Sequence, residues 1–207
     1  AFVGLGIGLS ALVSALMLTV FQSQLVYFLM HGRLWLMIAT FAELALVFVA
    51  SSMAAKNSPA ALPVFLVYSV LNGFTLSFVV AFYTPGTVLS AFVSSALLFF
   101  VMAAIGIFTK KDLSGMGRAL MAALVGLIIA MVVNLFLANS FFDYMISIAM
   151  VLVFSGLIAW DNQKIRYVYE QSRGQVATGW VISMALSIYL DFINLFLSIL
   201  RIFGRND

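Results

Sequence analysis

Three carboxylates stand where charge is costly. Glu43, Asp161 and Asp191 each fall inside an apolar stretch of membrane-spanning length, and an ionisable group there is a functional candidate by default. Asp112, Asp143, Glu170 and Asp207 fall instead in polar breaks or at the chain end, where water solvates them. Around Asp191 the pattern is denser: Ser183, Ser187, Asp191, Asn194, Ser198 and Arg201 recur at spacings of 4, 4, 3, 4 and 3. Such spacing places all six on one helix face. A polar seam of that length does not face lipid, so its helix should be central, with the seam turned towards partner helices or a wet cavity.

Asp161 is the partner that numbering offers to Asp191. If their two helices form an antiparallel hairpin, the midpoint of 161 and 191 is 176, beside the turn signal Ser172-Arg173-Gly174-Gln175. At a rise of ~1.5 Å per residue both carboxylates lie about 22 Å from the turn, so the helix ends project beyond the bilayer, as the mixed-polarity stretch 162–171 allows. Two carboxylates within hydrogen-bond reach share a proton and titrate as a coupled pair. Protonated once, the pair ties the two helices together; doubly ionised, it repels, or attracts a hard cation that takes oxygen ligands. Calcium suits flexible carboxylates helped by Asn194 better than magnesium does. Glu43, level with the bilayer centre, extends the cation path or forms a separate proton site. The plainer alternative leaves the serines as interhelical hydrogen-bond partners and each acid neutral or paired with a base such as Lys164.

The elements that must position these groups are spanning helices. Of 207 residues 65% are hydrophobic and 8% are charged, about a third of the roughly 25% charge of a soluble domain. Polar and turn-forming breaks leave seven pieces, approximately 1–22, 34–55, 61–83, 88–108, 118–138, 142–168 and 176–202, each near the roughly 20 residues a spanning helix needs. They form a single seven-helix domain. The first has no basic leader or cleavage site, so it reads as a span and not a signal peptide; its abrupt apolar start suggests a missing N-terminal extension. Lys56, Lys110, Lys111, Arg118, Lys164, Arg166 and Arg173 lie on one side, against Arg33, Arg201 and Arg205 on the other. This bias puts the N-terminus inside and the C-terminus outside. Gly4-x-x-x-Gly8 and the alanines of the fifth span predict close packing within the chain rather than dimerisation.

Several classes drop out. With no Cys and a single His, His31, in a loop, there is no thiolate chemistry and no histidine metal cluster. The seventh span has no lysine for a retinal Schiff base, and no protease motif is present. The net charge of +3 comes from loop residues and does not indicate nucleic-acid binding. No enzyme activity and no bound cofactor are expected.

The residues reached so far resemble the transmembrane BAX inhibitor motif family, also called Bax inhibitor-1-like. The matching stretches are Trp160-Asp161-Asn162-Gln163-Lys164-Ile165, the run from Ala185 to Phe196 around Asp191, and Thr109-Lys110-Lys111-Asp112-Leu113-Ser114. Glu43 falls where that family has a glutamate in its second helix. The resemblance implies an all-α integral membrane fold in which six helices surround a central seventh. It also implies a pH-sensitive calcium leak gated by Asp161 and Asp191, with calcium as the transported species. The basic residue that bacterial members carry near the inner end of the second helix has Lys56 as its nearest substitute here. Compact loops resemble bacterial members, which implies a bacterial plasma membrane. The competing readings are a regulatory protein acting on other membrane proteins or proteases, and a proton-coupled carrier, the latter weakened by the absence of visible inverted repeats.

Overall fold

In hydrocarbon every backbone N–H and C=O must be satisfied within its own segment, so apolar stretches of this length become helices. The computed structural model describes residues 1–206, with side chains at all of them except 33–36 and 206. The order is α1 (Phe2–Thr19), α2 (Gln22–His31), α3 (Arg33–Ala55), α4 (Ala61–Val80), α5 (Pro85–Phe108), α6 (Ser114–Leu137), α7 (Ser140–Gln171) and α8 (Thr178–Phe203), then a 3-10 turn at Gly204–Asn206. No strand occurs among the described residues. Among the described residues, all these helices but α2 include a span long and apolar enough to cross a membrane, seven in total. The Arg33 side chain and Asp207 lie outside the described residues.

Helix starts follow local chemistry. Thr84 caps α5 by accepting the Thr87 N–H at 3.3 Å, with Pro85 in the first turn, where its missing N–H costs nothing. Asn139 caps α7 by accepting the Phe142 N–H at 3.0 Å. Helix α7 runs to Gln171, and its 32 residues span about 48 Å, well beyond a core of roughly 30 Å. Its polar end therefore projects, as the numbering argument requires.

Two expectations are corrected. The stretch between the first two spans forms α2, and His31 is its last residue, stacked on Tyr27 at 5.1 Å, instead of a loop residue. Burial explains this: Leu25 is enclosed and Phe28 packs edge-on against Phe74 and Phe78 of α4. Gly4 and Gly8 face open space, so they do not provide the intrachain packing expected of them. Gly6 does instead; a Cβ there would sit 2.6 Å from the Phe65 ring and 2.9 Å from the Tyr189 ring.

Packing divides the chain into two units. The first comprises Ala1–Tyr83 with Val176–Tyr189, the second Thr84–Gln175 with Leu190–Asp207. In the first, α4 packs against α1 and α3. The start of α8 is fastened to the α3–α4 turn, where the Gly179 N–H donates to Asn57 Oδ1 at 2.6 Å and a Cβ would strike the Ala54 carbonyl. In the second, α5 and α6 both pack on α7. Gly106 lies against the Ala159 backbone and Gly117 against the Trp160 ring, at approaches too close for any side chain. The span in α8 is 72% buried, against 44% for those of α4 and α7, which makes the last helix the most enclosed.

Candidate functional site

Asp161 and Asp191 both belong to the second unit. Their residues are 5% and 7% exposed, and the two carboxylates interact electrostatically. Asp161 lies ten residues before the end of α7 and Asp191 thirteen after the start of α8. Apolar neighbours enclose the Asp191 turn: Phe192 meets Phe92 and Phe99 edge-on at 6.0 and 5.6 Å. Lys164, the base offered as an alternative partner, is exposed and stands over the Trp160 ring at 5.7 Å.

On α8, two side chains of the seam bond otherwise than to partner helices. Asn194 Nδ2 donates to the Leu190 carbonyl at 2.8 Å and Ser198 Oγ to the Asn194 carbonyl at 2.7 Å, so both turn back on their own helix. In an apolar surrounding the carbonyl four residues back is the nearest acceptor. Ser183, Ser187, Asn194 and Arg201 are half-buried, whereas Asp191 and Ser198 are buried. Of the six seam residues, four are thus partly accessible and two enclosed.

Glu43 belongs to the first unit and anchors a polar chain that the sequence did not disclose. Its half-buried carboxylate accepts hydrogen bonds from Thr75 Oγ1 and from the Asn72 side chain. Asn72 Oδ1 accepts the Tyr189 hydroxyl at 2.9 Å, and that hydroxyl lies 2.6 Å from Ser10 Oγ. Ser10 also reaches the Ser69 carbonyl at 2.7 Å. Four helices, α1, α3, α4 and α8, contribute to one chain of hydrogen-bonding groups ending on a carboxylate, in which the single Ser10 hydroxyl proton serves either the Ser69 carbonyl or the Tyr189 hydroxyl. Tyr189 has no exposed surface, so its hydroxyl depends wholly on these partners. Tyr189→Phe is expected to cost about 1–3 kcal/mol by stranding Asn72 Oδ1. Thermal melting of the purified protein checks this, and an unchanged midpoint would show that the hydroxyl contributes nothing.

Sequence reasoning missed Ser10, Asn72, Thr75 and Tyr189 as participants. Tyr189 stood within the motif around Asp191, and Asn72 was the available signal: an amide in the middle of a span needs a polar neighbour. Lys56, the proposed latch cation, is exposed at the C-terminal cap of α3. Among the described residues no three His, Asp or Glu side chains gather into a metal-holding cluster.

The comparisons agree with this architecture. The family described as "Inhibitor of apoptosis-promoting Bax1" matches residues 1–207. A membrane protein of Streptococcus pyogenes serotype M1 is 56% identical over 207 residues, covering 100% of this chain and 90% of the relative. The protein YrjE of Lactococcus lactis is 47% identical over 204 residues, covering 99% and 87%. The inner membrane protein YbhL of Escherichia coli K12 is 40% identical over 181 residues, covering 86% and 77%. With the family match running the whole length of seven apolar spans, the chain belongs to the Bax inhibitor-1-like family of multi-pass membrane proteins.

Proposed function

We propose that this protein is a pH-sensitive calcium leak of a bacterial plasma membrane, gated by a proton shared between Asp161 and Asp191. The observation that carries the reading is the burial of both acids together with their mutual electrostatic interaction. In such surroundings, two like charges repel far more strongly than in water. One retained proton turns repulsion into a hydrogen bond, and its loss turns the bond back into repulsion. The sign follows: acid restores the proton and holds the latch shut, while alkali removes it, loosens α7 from α8 and presents charge to a cation. Two carboxylates supply at most four oxygens, fewer than the six to eight that calcium takes. The arrangement therefore suits an ion in passage, with Asn194 and water completing its shell, rather than a resident ion. Glu43 and its hydrogen-bonded chain supply a second proton site. The Lys and Arg bias supports an N-terminus inside and a C-terminus outside.

The test is calcium release from liposomes holding the purified protein, followed at a series of pH values. Release should rise by up to about tenfold per pH unit on the acid side of the transition, the slope of a one-proton gate. Release that is flat with pH, or equal to that of empty liposomes, would end the reading. The family description favours a second reading, in which the chain restrains other membrane proteins. That reading expects capture of a protein partner from the native membrane in the absence of any flux.

A further inference from the structure

A cleft of about 550 Å³ opens at the rim of the second unit, between the α5–α6 loop and the projecting end of α7. Four cations line it, Lys110, Lys111, Lys164 and Arg166, against one acid, Asp112. The calcium reading has no use for this charge, which would repel the ion. We propose that the cleft binds a phosphate-bearing anion, the headgroup of an anionic glycerophospholipid.

The cleft is built rather than incidental. Gln163 holds the loop against α7 with both ends of its amide: Oε1 accepts the Leu113 N–H at 2.8 Å and Nε2 donates to the Lys111 carbonyl at 2.7 Å. Arg166 Nη1 donates to the Ile107 carbonyl near the C-terminus of α5. Its Nε, although buried, donates to nothing, and Glu170 lies 3.6 Å away as an ion pair only. These fastenings fix the backbone from which Lys110 and Lys111 project. Asp112 is itself committed to the loop, accepting the Ser114 N–H at 2.9 Å. The Ser114 hydroxyl and N–H hold its carboxyl below the usual range, so it stays ionised at neutral pH and the cleft keeps a surplus of positive charge.

Location selects the lipid. The cleft borders the ends of two spanning helices, and Trp160 and Tyr167 stand in its wall, the residue types that settle at headgroup level. A phosphodiester there meets the ammonium groups while its acyl chains stay beside the apolar faces of α5 and α6. Basic side chains near a membrane surface attract anionic lipid by about 1 kcal/mol each, which corresponds to roughly fivefold in occupancy.

The experiment uses the full chain in phosphatidylcholine nanodiscs doped with phosphatidylglycerol, the retained lipid being counted by native mass spectrometry. The native protein should retain phosphatidylglycerol in preference to phosphatidylcholine, and less of it as salt is raised. Lys111→Gln with Lys164→Gln, both at exposed positions, should lower that retention by roughly 25-fold. Arg173→Gln, in the α7–α8 turn and outside the cleft, should leave it unchanged. A second arm titrates inorganic phosphate into nanodiscs of phosphatidylcholine alone. Phosphate that binds with the same lysine dependence and displaces phosphatidylglycerol would support the anion site with a soluble source; no displacement would support the lipid. Retention of both lipids alike by the native protein, or equal losses in all variants, would overturn the proposal.

Discussion

Asp191→Asn should leave calcium release nearly independent of pH, at a rate roughly tenfold below the native one at the alkaline end. An amide keeps the shape of the carboxyl and its capacity to accept a hydrogen bond, but it has no proton to lose. If Asp191 and Asp161 share one proton, the variant is frozen in the latched form, and Asp161→Asn should freeze it in the same way. Combining the two changes should add little to either alone, because residues that act as one unit give non-additive effects. A purely structural role for the acids predicts something else. Neutral amides at both positions would then lower the melting midpoint together and leave the pH profile of the surviving protein intact. Replacing a buried charge by a neutral isostere is often tolerated, so folded protein is expected for both variants. A retained pH response in Asp191→Asn would remove the gate, whatever the flux.

The spans were legible because hydrocarbon imposes a single length on any helix that crosses it. Pieces drawn at 61–83 and 118–138 became Ala61–Val80 and Ser114–Leu137, off by a few residues where polar side chains still fit at the rim. The α2 segment was hidden because the break was placed at His31-Gly32-Arg33, and the apolar run Leu25 to Met30 before it is too short to read as a span. On α8 the periodicity disclosed which residues share a face but not where their hydrogen bonds go. Asn194 and Ser198 illustrate the difference, since a carbonyl of their own helix is always within reach. The chain from Ser10 to Glu43 was illegible for another reason. Its links join residues 179 and 117 positions apart, and no local pattern encodes such pairings. Gly6 and Gly73 likewise look no different in sequence from Gly4 and Gly8, yet only the first two lie against another helix.

Gly73→Val should be among the most damaging single changes in the first unit. A Cβ on Gly73 would sit 2.6 Å from the Ser10 carbonyl oxygen and 2.8 Å from its Cα, distances that no rotamer relieves because the obstruction is backbone. Helix α1 must therefore move off α4, and overpacking of this kind costs about 1–3 kcal/mol or more. The displacement also has a direction. Ser10 is the residue that reaches the Ser69 carbonyl and the Tyr189 hydroxyl, so shifting α1 breaks the end of the polar chain opposite Glu43. Melting of Gly73→Val should accordingly fall by more than that of Tyr189→Phe, and adding Tyr189→Phe to it should cost less than it does alone, since the hydroxyl has already lost Ser10 and only its bond to Asn72 Oδ1 is left to lose. Full additivity of the two losses would mean that the α1–α4 contact and the hydrogen-bonded chain are independent features. Near-complete overlap would mean that one close helix crossing positions the whole chain of hydrogen-bonding groups.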